Sequence, residues 1–319
     1  MKVNTARAYL WAWRMGRWVP GPVVRALMRI GADAAWLARG AGVRQLEANL
    51  ARVRPELDAR ALRRLSRAGM RSYLRYYGEA FTLSASSRDQ INARVRMKGR
   101  DLLQPHLDAG RSAVLALSHM GNWDLAGAWA THALAPVVTV AERLEPEELF
   151  QEFLRFREGV GLRIIPLTGG GDVFRQLVRA MREGGVLVPL LADRDLTANG
   201  VEVTLFGTTA RVAVGPASLA VSLGAPMFAV AITYERLRGA RRRAAGTPWG
   251  IVLDFIPVEA PPAGLTSREQ VQVMSQSWVQ VLEQAIARDP QDWHMLQKVF
   301  VEDLDPDRYA ATVAAQEEP

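Results

Sequence analysis

From about residue 96 onward the sequence repeats one pattern, a short apolar run followed by a longer amphipathic stretch. The apolar runs are "SAVLALS" (112–118), "VVTVAE" (137–142), "LRIIPL" (162–167), "VLVPLLAD" (186–193), "MFAVAITY" (227–234) and "GIVLDFIPV" (250–258). Between or after them come "WDLAGAWATHAL", "EPEELFQEFLRFREGVG", "DVFRQLVRAMREGG" and "SREQVQVMSQSWVQVLEQAIARDP", whose apolar residues recur with helical spacing. Runs of four to eight β-formers without polar alternation read as strands buried on both faces, and strands alternating with helices read as crossover units. The pattern predicts an α/β fold: a mixed, mostly parallel central sheet flanked by helices on both faces.

Before that core, residues 1–95 read as an N-terminal helical segment. "RQLEANLARVRPELDARALRRLSRAGMRSYLRYYGEAFTL" (44–83) predicts two helices parted near Pro55 and Asp58. "ARAYLWAWRMGRWVP" (6–20) mixes Tyr9, Trp11, Trp13 and Trp18 with arginines, a composition that suits a membrane interface as well as core packing. Arginines interrupt any apolar signal-peptide core there, so the segment is expected to stay attached. Residues 96–302 form the expected α/β core, and 303–319, ending "AAQEEP", an expected flexible tail. One stretch, 212–234, carries no charge over 23 residues. Gly215-Pro216 and Gly224-Ala225-Pro226 interrupt it, so it is read as a buried helix, a turn and a buried strand instead of a membrane span.

The chain of 319 residues has no cysteine, which excludes disulfides, thiolate metal sites and cysteine nucleophiles. Its net charge is +7, and all but three of its 40 basic residues are arginine, a side chain whose fork suits phosphate. The arginines are dispersed and no nucleic-acid motif accompanies them, so no nucleic-acid partner is expected.

One motif carries chemistry. "LALSHMGNWDLAGAW" (115–129) places His119 at the end of a strand and Asp124 five residues on. Met120-Gly121-Asn122 is expected to turn the chain, Asn122 to cap the next helix, and Asp124 to fall in its first turn. That turn can bring the carboxylate back to one ring nitrogen, leaving the other as a general base. Neither a cysteine nor a G-x-S-x-G elbow supplies a nucleophile, and strand alternation points Ser118 away from His119. The reactive oxygen is then a substrate hydroxyl. The residues alone leave two other readings open: a hydrogen-bonded core histidine beside a helix-stabilising aspartate, or a metal pair, which the absence of H-E-x-x-H and the scatter of the other histidines disfavour.

At these residues the chain resembles the H-x4-D block of glycerophosphate-type acyltransferases. More narrowly it resembles the bacterial branch that contains lipid A late acyltransferases and actinobacterial phosphatidylinositol mannoside acyltransferases. The resemblance runs through "YLRYYGEAFTL" (73–83), "MKGRDLL" (97–103), "SHMGNWD", "VAERLEPEELFQEFLRFRE" (140–158) and "LLADRDLTANGVEVTLFG" (190–207). It implies transfer of a long acyl group, as palmitoyl, from acyl-coenzyme A to a glycolipid hydroxyl, with no further cofactor and no metal. For the mannoside branch the acceptor is the 6-hydroxyl of the mannose on the inositol 2-position. It also implies a peripheral protein at the cytoplasmic face of the membrane, in contact with anionic lipid. On this resemblance His119 and Asp124 are catalytic and Glu142 grips the acceptor sugar. Arg157 orients Glu142 or a phosphate, and Asp193 and Arg194 bind mannose or inositol phosphate.

Asp195 is read as a partner of Arg194, and Glu202 as a weaker candidate. "TGGGDVFRQL" (168–177) resembles neither a dinucleotide fingerprint nor a P-loop and reads as a tight turn into a helix. "RLRGARRRAAG" (236–246) is read as a basic loop between strands that faces anionic lipid or solvent. Competing functions are a lipid A-type or other glycolipid acyltransferase, a thioesterase with water as acceptor, and a non-enzymatic basic membrane-binding protein.

Overall fold

A computed structural model describes residues 19–143, 145–167, 172–195, 197, 199–307 and 309–310. Four helices precede the sheet: α1 (Gly21–Ala38), α2 (Ala41–Val53), α3 (Ala59–Leu83) and α4 (Arg88–Arg94). The predicted break between α2 and α3 is present, with Asp58 capping α3 by accepting from Ala61 N at 2.6 Å. The aromatic stretch 6–18 lies outside the described residues.

The rest runs β1 (Val95–Lys98), α5 (Arg100–Asp108), β2 (Ala113–Leu117), α6 (Trp123–Ala133), β3 (Val138–Glu142), α7 (Glu147–Gly159), β4 (Arg163–Leu167), α8 (Asp172–Glu183), β5 (Leu187–Leu191), β6 (Val201–Leu205), β7 (Thr208–Val212), α9 (Gly215–Leu223), β8 (Met227–Arg236), α10 (Gly239–Ala245), β9 (Trp249–Pro257) and α11 (Ser267–Arg288). All six apolar runs are strands. The uncharged stretch 212–234 divides into α9, a left-handed Gly224 and β8, as its glycines and prolines predict. No described helix is long and apolar enough to cross a membrane.

The central sheet has the order β1-β9-β8-β2-β5, parallel at every pair except the β8–β9 hairpin, which makes it mixed and mostly parallel. The parallel pair β3–β4 continues it beside β5 through the bridge Val137↔Leu187. Alternation along β2 divides the core. Val114 and Ala116 face a cluster built with α8, α9 and α11, while Ala113, Leu115 and Leu117 face a second cluster built with α6. Helices therefore cover both faces, as expected.

Two local expectations are corrected. Residues 239–245 form α10 and not a basic loop, because Arg241 is tied inward, donating to Ala93 O at 3.2 Å and pairing with Glu235 at 2.8 Å. Residues 201–212 form the hairpin β6–β7, absent from the sequence-based assignment. The first residue of the expected tail, Asp303, is held by Arg52 at 2.7 Å and Gln45 at 2.8 Å.

Candidate active site

The parallel register Leu117↔Leu191 fixes what meets beyond the strand ends. Ala192 N donates to Leu117 O at 2.9 Å, so the register continues, and two residues on His119 stands opposite Asp193. His119 has the same parity as Leu115 and Leu117, which places it on the α6 face of the sheet. Asp193 Oδ1 lies 2.6 Å from His119 Nδ1, while Oδ2 accepts from His119 N at 3.0 Å and Trp293 Nε1 at 2.9 Å. Asp193 is buried, yet the His119 side chain is 37% exposed, so the imidazole is reachable while its carboxylate is not.

The expected His119–Asp124 contact is not made. The turn forms as predicted: Asn122 caps α6 by accepting from Leu125 N at 2.9 Å, and Asp124 falls in the first turn. But Asp124 faces away from the imidazole into a buried network. Its Oδ1 accepts from Arg157 Nε at 2.8 Å and its Oδ2 from Tyr76 O–H at 2.7 Å. Arg157 accordingly orients Asp124 and not Glu142. Satisfying both oxygens of a buried carboxylate with a cation and a hydroxyl removes the main cost of burying it.

Burial pulls the His119 pKa down, but the charge and hydrogen bond of Asp193 outweigh it and leave the pKa raised, with Arg194 acting against protonation. Asp193, despite its burial, is held below the usual carboxylate range by His119 and by the N–H of Trp293.

The segment after α11 closes the site from above. Gly121 N donates to Asp292 O at 3.0 Å, and His294 N to His119 O at 2.7 Å. Gly121 is the position where only glycine fits: its φ is +64°, and a Cβ would lie 2.4 Å from Ile232 O. Asp292 accepts from Ser72 O–H at 2.7 Å and Tyr234 N at 2.8 Å, and burial pushes its carboxyl up to about 6. His294 is buried against Ser72, 3.1 Å from its Nε2, and burial pushes it down to about 3, so it stays neutral. Sequence reading passed over Tyr76, Asp292, Trp293 and His294. The available signal was a tryptophan-histidine pair in a chain with only four histidines.

A cavity of about 1060 Å³ opens at His119. Its inner walls are apolar, from Leu115 and Leu117 of β2, Val230 of β8, Leu253 and Phe255 of β9, and Ala126 and Ala130 of α6. Its polar lining includes Glu142, Arg157, Arg194, Asp195 and Lys298. Glu142 sits exposed at the end of β3; Arg143 pairs with Glu147 at 2.9 Å. Arg194 donates from Nε to Lys298 O at 3.0 Å, and the Asp195 side chain accepts from Thr197 N at 2.8 Å, not from Arg194. Glu202 lies away from the cavity, bonded to Tyr309 and 3.5 Å from Arg211. The glycines of "TGGG" fall outside the described residues, and among the described residues no His, Asp and Glu group could hold a metal ion.

A reachable imidazole backed by a buried carboxylate, at the strand ends of a mixed α/β sheet and opening on a largely apolar cavity, can take a proton from a hydroxyl bound there. Residues 2–302 match the family described as bacterial lipid A biosynthesis acyltransferase, and the chain belongs to that family. It is 38% identical over 307 residues to a phosphatidylinositol mannoside acyltransferase of Mycolicibacterium smegmatis, covering 96% of this chain and 94% of that protein. Proteins of the same name from two Mycobacterium tuberculosis strains are 38% identical over 312 residues, covering 97% of this chain and 92% of theirs. The chain is thus an O-acyltransferase of the glycolipid-modifying kind.

Proposed function

We propose that the chain transfers a long acyl group, palmitoyl by preference, from acyl-coenzyme A to the 6-hydroxyl of the mannose on the inositol 2-position of a phosphatidylinositol mannoside. The observation that carries the mechanism is the 2.6 Å contact between His119 Nδ1 and Asp193 Oδ1. It keeps the proton on Nδ1 and leaves Nε2 as a lone pair at the cavity. The acceptor hydroxyl gives its proton to Nε2, its oxygen attacks the thioester carbonyl, and the tetrahedral intermediate expels the thiolate, which takes up a proton. His119 becomes a cation beside Asp193 during attack, so the buried carboxylate stabilises the charge as it develops. Asp193 takes the orienting role assigned to Asp124 by spacing. Asp124 instead fixes Arg157 and Tyr76 in the cavity wall and acts as a positioning residue. General base catalysis supplies roughly 10²–10⁴-fold, so substrate positioning supplies the rest.

The apolar inner cavity suits the acyl chain. At about 1060 Å³ it is at the upper end of the roughly 300–1,000 Å³ of small-molecule sites. Glu142, exposed at the rim, is positioned to accept hydrogen bonds from sugar hydroxyls. Peripheral binding to an anionic membrane is supported by α1. Its Val23, Leu27, Ile30 and Leu37 are 47%, 57%, 66% and 70% exposed at helical spacing along one face.

The test is mass spectrometry of the products formed from a mixed glycolipid extract and palmitoyl-coenzyme A. The reading requires a singly palmitoylated phosphatidylinositol mannoside, absent with His119→Ala. A palmitoylated lipid of another class would refute the acceptor, and coenzyme A release at full rate without any acceptor would point to a thioesterase.

A further inference from the structure

The segment expected to be a flexible tail begins as a strap along the cavity. Leu304, Asp305 and Tyr309 line the same cavity as His119, although they lie beyond residue 302, where the family match ends. The strap is tied to two separate elements. At its start, Asp303 accepts from the two arms of the Arg52 guanidinium at 2.7 and 3.1 Å and from Gln45 at 2.8 Å, both on α2. At its far end, the Tyr309 hydroxyl donates to Glu202 of β6, and the Arg211 guanidinium of β7 lies 5.8 Å from the Tyr309 ring centroid. Between these ties Asp305, Pro306 and Asp307 are exposed and turn the chain: Asp305 Oδ1 accepts from Asp307 N at 3.1 Å, and Asp305 O from Tyr309 N at 2.9 Å.

The two ties differ in strength. Asp303 meets a forked cation through both oxygens, and the two side chains are only 18% and 21% exposed, which makes it a geometrically fixed, charge-assisted pair. Tyr309 has one neutral donor on a carboxylate that is 48% exposed, where water competes for the bond and its net worth is small. Releasing it does not unravel the hairpin beneath, because Arg211 stays anchored on Gly200 O at 2.6 Å and Thr197 O at 3.1 Å. The inner walls of the cavity are closed, with Val230, Leu253 and Phe255 no more than 3% exposed. A long chain therefore reaches them only from the side where lining residues stay accessible, and the half-buried Leu304 and Tyr309 are on that side.

We propose that residues 303–310 are a gate on the cavity, hinged at Asp303 and latched at Tyr309, which releases at the latch for a lipid chain to enter or leave. The gate rests on the transferase reading for the identity of that lipid, and in itself needs only an elongated apolar ligand. A short segment held by one strong and one weak side-chain tie, with exposed carboxylates between them, has the properties of a segment that opens locally while the domain stays folded.

The chain has no cysteine, so a pair placed at the latch, Glu202→Cys with Tyr309→Cys, can be bridged selectively by a reducible bis-methanethiosulfonate whose spacer replaces the lost side chains. The same protein is then measured latched, when bridged, and unlatched, before bridging and after reduction. Two readouts are followed in the full chain: the stopped-flow rate of entry of the fluorescent fatty acid cis-parinaric acid, and the initial rate of acyl transfer from palmitoyl-coenzyme A. Bridging is expected to slow both by about tenfold or more, with recovery on reduction and no effect of the reagent on either single-cysteine variant. Tyr309→Phe keeps the ring in the cavity wall and removes only the hydroxyl, and should speed probe entry severalfold. Equal rates of probe entry in bridged and reduced protein would overturn the gate, as would failure of the two cysteines to be bridged or of the wild type to take up the probe. Turnover separates this from the broader reading. Intact transfer with probe entry unaffected by bridging removes the gate and leaves the transferase standing. A wild type that transfers nothing, while bridging still slows probe entry, leaves the gate and removes the proposed substrates.

Discussion

Replacing Asp193 by asparagine separates the two carboxylates that compete for the role of orienting His119. Asp193 Oδ2 accepts two N–H groups, from His119 N and Trp293 Nε1, while Oδ1 meets the ring nitrogen Nδ1. An asparagine therefore keeps its carbonyl oxygen at the Oδ2 position and turns its NH₂ toward the ring. Nδ1 must then accept, the proton moves to Nε2, and the general base loses its lone pair at the cavity. Turning the amide over restores the tautomer but sets NH₂ against two N–H donors. Leaving those two unsatisfied costs about 1–3 kcal/mol each, together about 2–6 kcal/mol. The productive arrangement falls to between roughly one part in 30 and one part in 3 × 10⁴, and kcat with it. The assay is initial-rate thiol release from palmitoyl-coenzyme A in the presence of acceptor, alongside denaturant unfolding. Asp124→Asn is the companion variant: it leaves the buried Arg157 guanidinium without its countercharge, a loss of about 3–5 kcal/mol that appears in the unfolding midpoint. If Asp193→Asn retained half of wild-type kcat while a fully folded Asp124→Asn lost it, Asp124 would be the orienting carboxylate and the mechanism drawn here would be wrong.

Other perturbations have equally definite outcomes. Arg194→Gln removes a charge that opposes protonation of His119; the base must be neutral to act, so the acidic limb of the kcat/KM profile moves to higher pH, and a limb that stays or moves down contradicts the assignment. Gly121→Ala forces a side chain into a φ of +64° with its Cβ 2.4 Å from Ile232 O. It should cost at least about 1–2 kcal/mol from the left-handed backbone alone, read as a lower urea midpoint, and an unchanged midpoint would mean that the turn relaxes freely. Leu27→Asp with Ile30→Asp puts two charges into the exposed face of α1; co-flotation with anionic liposomes should drop severalfold while transfer to detergent-solubilised acceptor is kept, and undiminished flotation would place the membrane contact elsewhere.

The sequence exposed the sheet because its strands are buried on both faces, and a run such as Ala113–Leu117 has no polar residue to disguise it. It hid β1, whose "VRMK" has only two apolar residues, and the hairpin β6–β7, whose polar alternation at Glu202 and Thr204 reads as loop beside the expected binding stretch. In the site, His119 stands out through its place at a strand end, and Glu142, Asp193 and Arg194 through the family resemblance. The partner of His119 did not, for a physical reason: proximity along the chain favours Asp124, whereas the partner is chosen by the register of β2 on β5, a property of two strands 74 residues apart. Local geometry predicted the cap at Asn122 correctly because a cap depends only on the next three residues. Tyr76, Trp293 and His294 reach the centre from the N-terminal helices and from beyond α11, and no local rule links them to it.

The bonds from residues 292–294 to the turn after β2 have a consequence for the order in which the protein matures. The strands that bear His119 and Asp193 leave the ribosome well before the residues that clasp them, since Gly121, His119 and Asp193 each wait for a partner at Asp292, His294 or Trp293. A nascent chain that has emitted its whole sheet therefore still lacks the clasp that holds its base in place. The turn after β2 is therefore complete only once residues 292–294 have been made and folded back onto it.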